Sequence, residues 1–330
     1  DVILLNTCSI REKPEHKIYS MLGRLKGYKD ANPSLILGVG GCVAQQEGER
    51  LFEKAPYLDL VFGTHTIDRL PELIRQAAMQ RDKVCRTAMQ EEGYSDEGVC
   101  RSVSPGVSAY VSIIRGCNNY CSYCVVPYVR GRERSRPPED IIAEVKHLVR
   151  LGVKEVTLLG QNVNSYGKGN GIKGGFPRLL EAVNAVEGIE RIRFITSHPK
   201  DLGDDLIRCF GELDKLCGHM HLPVQSGSDK ILRLMNRAYT RDEYLAKVER
   251  LRRTCPAIGI TSDVIVGFPR ETDEDFEATL TLMEEVRFDD LFSFNYSDRP
   301  MTAALRLEGK IPPEVKAGRL ARLQALQNEH

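Results

Sequence analysis

Cys117, Cys121 and Cys124 stand in the run Ile114-Arg115-Gly116-Cys117-Asn118-Asn119-Tyr120-Cys121-Ser122-Tyr123-Cys124-Val125-Val126-Pro127-Tyr128, a C-x3-C-x2-C spacing. Thiolates are soft ligands that hold iron–sulfur clusters, and three of them leave one iron of a 4Fe–4S cluster open to a substrate. Such a site would be catalytic rather than structural. The alternative is zinc, which ordinarily takes four ligands in two pairs, yet no His or Cys follows Cys124 within twenty residues. Ten cysteines in a chain without a signal-peptide pattern read as reduced thiols of a cytosol rather than as disulfides.

The elements that must position these thiols are legible as hydrophobic patterns. A length of 330 residues suggests about two domains, and 42% hydrophobic content suffices for a globular core. No apolar run approaches the roughly 20 residues of a membrane-spanning helix, so a cytoplasmic location and no membrane partner are expected. The chain opens with Asp1 inside an apparent strand, which suggests a piece of a longer protein. With 46 basic and 46 acidic residues, any affinity for RNA must come from local patches or further segments.

Residues 1–79 repeat strand then amphipathic helix, with strands at 2–5, 34–39 and 58–62, predicting a small parallel α/β layer. Residues 80–106 are polar and aperiodic and read as a linker. Six strand candidates follow at 109–114, 155–159, 191–196, 219–224, 261–268 and 291–296, separated by helical stretches. Six β-α units over residues 107–300 predict a partial parallel barrel with a lateral opening, and chemistry in such barrels sits at the carboxyl ends of the strands. The cysteine run directly follows the first of these strands. Residues 312–330 read as a helix with Leu320, Leu323 and Leu326 at helical spacing, packing outside the barrel.

Gly160, Gln161 and Asn162, then Ser197, then Gln225, Ser226 and Gly227 all lie just after barrel strands, where their polar groups and bare glycine backbone would line a cofactor and substrate pocket. His198 fits a substrate contact or a satisfied loop histidine equally. In the amino-terminal half, Asn6-Thr7-Cys8-Ser9-Ile10-Arg11-Glu12 and Gly40-Gly41-Cys42-Val43-Ala44-Gln45-Gln46 each place one cysteine after a strand, where adjacent parallel strands would bring both thiols to one edge. Taken as bare sequence, Cys8 and Cys42 also fit buried hydrophobic cysteines.

Strand, three cysteines and six-unit barrel together resemble the radical S-adenosylmethionine (SAM) enzymes. With Leu159-Gly160-Gln161-Asn162-Val163-Asn164-Ser165-Tyr166 and His221-Leu222-Pro223-Val224-Gln225-Ser226-Gly227-Ser228 added, the whole chain is similar to their methylthiotransferase family. The nearest branch acts on dimethylallyladenosine in bacterial tRNA. The resemblance implies an α/β fold, with a partial flavodoxin-like domain at 1–79, a radical SAM partial (β/α)6 barrel at 107–300, and a helix at 301–330 leading to an RNA-binding β-barrel. It implies two 4Fe–4S clusters and SAM: one SAM-binding cluster on Cys117, Cys121 and Cys124, and an auxiliary cluster on Cys8, Cys42 and a third cysteine that falls ahead of Asp1. It further implies methylthiolation of adenine C2, a tRNA substrate, an electron donor such as flavodoxin or ferredoxin, and a monomer. The alternatives are a methylthiotransferase acting on threonylcarbamoyl-adenosine or on a ribosomal protein and, more distantly, a non-enzymatic cysteine-metal RNA-binding module.

Cys85, Cys100, Cys209, Cys217 and Cys255 match no motif and read as ordinary thiols. Arg270 and Met301 stand where the family usually has glycine, which matters if those positions need positive φ. Arg130, Arg132, Arg134 and Arg136 place four guanidiniums in seven residues, opposed only by Glu133. They fit phosphate contact, a solvated loop paired with Glu, or service to the cofactor loop.

Overall fold

In this computed structural model, residues 1–9, 12–80, 82–89 and 106–329 are described. Two compact units form: Asp1–Ser102 with Cys124–Gly131, and Val103–Tyr123 with Arg132–His330. Among the described residues, no helix is long and apolar enough to cross a membrane.

The first unit is built on a parallel sheet of β1 (Val2–Thr7), β2 (Ile36–Gly41), β3 (Leu60–Phe62) and β4 (Val84–Arg86), in that order. Every residue of β2 is buried, as expected of a parallel strand covered on both faces. Leu37, Val39 and Val61 pack with Leu22 and Leu51 on one side, while Leu60 and Phe62 pack with Leu73 and Ala77 on the other. β4 lies in the stretch that reads as a linker from the sequence; three residues are too few to show a period, and its register with β3 (Leu60 opposite Val84) supplies the pairing. Cys85 is half-buried on this strand, and Cys100 lies outside the described residues.

The second unit carries β5 (Ser108–Ser112), the short antiparallel pair β6 (Ile114–Arg115) and β7 (Arg134–Ser135), then β8 (Glu155–Leu159), β9 (Arg191–Phe194), β10 (His219–His221), β11 (Gly259–Val266) and β12 (Asp290–Asn295). The ladders β5-β8-β9 and β10-β11-β12 are parallel throughout. A bridge from Ile192 to Leu216 and the bond from Cys217 N to Ile192 O (3.0 Å) join the two. Six parallel strands thus form an incomplete barrel, and among the described residues β12 pairs with β11 and β5 with β8, with no rung between β5 and β12.

One strand face packs outward on the helices: Val156, Leu158, Ile192, Phe194, Val264 and Val266 share a core with Phe176, Leu206 and Phe276. The alternate residues face inward by strand parity. The carboxyl-terminal helix Pro313–Glu329 buries Leu323 in this core and packs Leu320 and Leu326 against it. Arg319 fixes that helix by buried contacts to Glu271 (2.7 Å) and a bond to Asp273 (2.7 Å). Glu271 in turn accepts from Gly267 N (2.7 Å) at the end of β11.

Arg270 (φ 69°) and Met301 (φ 66°) both occupy the left-handed region. A side chain there costs about 1–2 kcal/mol, and glycine's extra unfolded-state freedom returns about 0.5–1 kcal/mol of that. Met301→Gly should therefore raise the barrel's stability by about 0.5–1 kcal/mol, read as a higher urea midpoint. A lowered midpoint would show that the half-exposed methionine side chain contributes more packing than its backbone costs.

Candidate active site

The cysteine loop leaves the barrel between β6 and β7, whose antiparallel rungs close it at both ends. Gly116 (φ 72°) opens it and donates its N–H to Gln161 Oε1 at 2.7 Å. Ser122 is held on three sides: its N donates to Met235 O (2.9 Å), its Oγ to Leu234 O (2.7 Å), and its carbonyl accepts from Ala304 N (2.8 Å). Asn236 Nδ2 reaches the carbonyls of Asn119 (3.3 Å) and Tyr120 (3.0 Å).

Cys117 and Cys121 are buried and Cys124 is half-buried. Burial pushes the Cys117 thiol up to about 11, so a charged sulfur there needs a compensating cation or metal. Cys121 Sγ lies 3.3 Å from Arg237 Nη1 and 3.9 Å from His198 Nε2. Burial, then Arg237 and nearby lysines, hold His198 well below the usual imidazole range, so it is neutral. Asn164 fixes His198 by bonds to its N (3.0 Å) and O (2.9 Å). Among the described residues, no three or more His, Cys, Asp or Glu side chains are gathered as a closed metal site. The donor set nevertheless suits iron–sulfur chemistry, combining buried soft thiols with a guanidinium aimed at one sulfur.

The seven residues expected to contact a cofactor divide by how their groups are used. Asn162, Ser197 and Gln225 follow β8, β9 and β10; they are almost fully buried, and among the described residues Asn162 Oδ1, Ser197 Oγ and Gln225 Oε1 have no hydrogen-bond partner. Orphaned buried polar atoms are costly unless a ligand satisfies them. The other four are occupied within the fold. Gln161 anchors Gly116, and a Cβ on Gly160 would lie 2.2 Å from Ile114 Cγ2. Gly227 donates to Thr279 Oγ1 (2.9 Å) and packs so tightly on the 273–286 helix that a Cβ would meet Ala278 O at 2.2 Å. Ser226 Oγ accepts from Ser228 N at 3.2 Å. These four shape the loops themselves.

The arginine run also divides. Arg136 donates to Ser112 O (2.6 Å) and Glu144 (2.8 Å), and Glu133 turns inward to accept from Ser165 Oγ (2.6 Å). Burial pushes the Glu133 carboxyl up. Arg130 Nε points at Cys42 Sγ (3.2 Å), whereas Arg132 and Arg134 are exposed.

In the first unit, Thr7 pairs with Gly41, so Cys8 and Cys42 leave neighbouring strands at the same edge. Cys42 is buried at the start of helix Cys42–Glu47 and Cys8 is exposed. Gly41 (φ 89°) makes the turn, with its Cβ position only 2.4 Å from Thr7 O, so no side chain fits there. In the second unit Cys209 is buried in the barrel core and Cys217 and Cys255 are half-buried.

A cleft of about 290 Å³ lies at the opposite, amino-terminal edge of the barrel, lined by Ser108, Lys154, Glu155, Glu190 and Arg191. In and beside it Lys154 pairs with Glu190 (3.1 Å) and Glu155 with Arg193 (3.3 Å). Nothing in it matches the chemistry of the cysteine loop.

Residues 111–283 match the family model of the radical SAM superfamily, and residues 1–63 match the uncharacterized protein family UPF0004. A tRNA-2-methylthio-N(6)-dimethylallyladenosine synthase of Syntrophus aciditrophicus (strain SB) is 55% identical over 330 residues, covering 100% of this chain and 72% of the relative. A synthase of the same name from Geobacter sulfurreducens is 54% identical, covering 100% and 74%. Among solved structures, the cobalamin-dependent SAM radical enzyme OxsB aligns with TM-score 0.65 at 13% identity, over 100% of this chain and 48% of that one. The radical SAM methyltransferase TsrM from Kitasatospora setae aligns with TM-score 0.65 at 15% identity, over 92% and 64%. Fold, cysteine loop and identity over the whole chain agree, and the chain belongs to the tRNA-2-methylthio-N(6)-dimethylallyladenosine synthase family of the radical SAM superfamily.

Proposed function

We propose that this protein converts dimethylallyladenosine beside the tRNA anticodon to its 2-methylthio derivative, consuming two SAM molecules. The cofactors are SAM and 4Fe–4S clusters, one on Cys117, Cys121 and Cys124 and an auxiliary one on Cys8, Cys42 and a third cysteine that the family resemblance puts ahead of Asp1. When bound, this set supplies the one-electron chemistry that takes hydrogen from adenine C2 and delivers methylated sulfur there. The protein's own work is positional. Gln161 and Asn236 hold the cysteine loop through its backbone. Asn162, Ser197 and Gln225 offer one acceptor amide oxygen, one hydroxyl and a second amide oxygen to the polar ends of SAM or substrate. Their three orphaned atoms at three successive strand ends are the observation in the fold that carries the reading.

Flavodoxin or ferredoxin as electron donor, a monomeric state and a cytoplasmic location belong to the same proposal. Nucleoside mass spectrometry of tRNA from a deletion strain tests it. The 2-methylthio derivative should vanish and dimethylallyladenosine accumulate; unchanged levels of both, with loss of methylthiolated threonylcarbamoyl-adenosine or of a methylthiolated ribosomal protein instead, would overturn the substrate.

Arg132 and Arg134, the exposed pair of the run, are the phosphate contacts in this reading. Glutamine at each should flatten the salt dependence of tRNA binding by about one in logarithmic slope per residue. An unaltered slope in the double variant would assign these side chains to solvent.

A further inference from the structure

In the segment Met235-Asn236-Arg237-Ala238-Tyr239, Met235, Arg237 and Tyr239 are buried, and the Arg237 guanidinium has no role in the function so far. The segment's backbone is unusual, with Asn236 (φ 57°) and Ala238 (φ 54°) both left-handed without being glycine. Such strain is retained where the surroundings hold it, and here it frames one side chain. Arg237 is 4% exposed. It donates from Nη2 to Pro223 O (2.7 Å), from Nε to Tyr239 OH (3.1 Å), and from Nη1 to Tyr123 OH (3.4 Å) and Cys121 Sγ (3.3 Å). Tyr239 is itself fixed by donating to Val224 O at 2.7 Å.

Among the described residues, no carboxylate pairs with this guanidinium: its partners are one carbonyl, two phenols and a sulfur. A buried cation left without an anion costs several kcal/mol, and Arg does not relieve that cost by losing its proton. The anion that this geometry offers is a thiolate at Cys121, the form a cysteine takes when it ligates iron.

We propose that Arg237 is a positioning residue for the SAM-binding cluster: its guanidinium holds the Cys121 thiolate as a permanent counter-charge and thereby makes the cluster easier to reduce. Hydrogen bonds to ligand sulfur and nearby positive charge both favour the more negative, reduced cluster. Asn236 acts beside it on the loop's carbonyls, so one short segment fixes the loop's shape and sets its charge. This rests on the assignment of the cluster to Cys117, Cys121 and Cys124.

The test is a redox titration of the reconstituted cluster, followed by the electron paramagnetic resonance of its reduced form, in wild type, Arg237→Lys and Arg237→Gln. At the wild-type midpoint the ratio of reduced to oxidised cluster should fall at least about tenfold in the Gln variant, equivalent to 59 mV for one electron, and less in the Lys variant. An unchanged midpoint in the Gln variant, with normal iron and sulfide content, overturns the inference. Loss of iron from the Gln variant with retention in the Lys variant supports it, because charge then decides; equal loss in both overturns it, because shape alone would be needed. Iron content of Cys121→Ala keeps the underlying assignment separate: full retention there defeats the cluster assignment itself, whatever the arginine variants do.

Discussion

Cys121→Ala should abolish 5′-deoxyadenosine formation by the anaerobically reconstituted protein. The sulfur removed is one of the three proposed ligands, is buried, and is the one that Arg237 addresses at 3.3 Å. Its loss takes away a third of the protein's hold on the cluster and strands a buried cation beside the gap, so iron binding and charge balance fail together. Deoxyadenosine is the direct readout, because reductive SAM cleavage requires an iron open to the cosubstrate and is independent of tRNA. Wild-type amounts from the variant would remove Cys121 from the cluster, and most of the mechanism with it. Cys209→Ala serves as a comparison, since that thiol is buried in the barrel core and donates to Asp205 O at 3.3 Å.

The second large effect separates the two clusters. Cys42→Ala should eliminate the 2-methylthio nucleoside from cellular tRNA while purified protein still forms 5′-deoxyadenosine, because Cys42 and Cys121 lie in different units with separate cores. Cys42 Sγ accepts from Arg130 Nε at 3.2 Å, so its removal also deprives a half-buried guanidinium of its sulfur partner. A Cys42→Ala variant that loses deoxyadenosine as well would show that the thiol serves the SAM-cleaving cluster.

The strands were legible because parallel strands covered by helices are written as short apolar runs: Glu155–Leu159 matches its run residue for residue, and β2 and β11 differ from theirs by a few residues at the ends. β4 was hidden in a polar stretch because three residues carry no period. The 109–114 run proved to be two strands, since Ile113 spends its N–H on Leu159 and its carbonyl on Arg136 while Ile114 turns to pair with Ser135.

The strand-end loops themselves were equally legible, but not the division of labour within them. Gly160 and Gly227 are bare because neighbouring side chains and backbone fill the space of a Cβ, and that crowding is a tertiary fact. Arg237 gave no signal because it meets Cys121 across 116 residues of chain, through a turn whose left-handed positions are not glycines. Arg270 and Met301 could be flagged by comparison with a glycine pattern, and their positive φ is the physical content of that flag.

The seam between β5 and β12, unpaired among the described residues, has a topological consequence. A closed ring of strands would admit a polymer only at its mouth, so an internal nucleotide would have to enter by pinching the chain into a narrow end-on loop. An interrupted ring accepts a single base from the side while the flanking backbone stays outside and continuous. Neither terminus of the polymer need be free, and the rest of its folded body need not be undone for one of its bases to be processed.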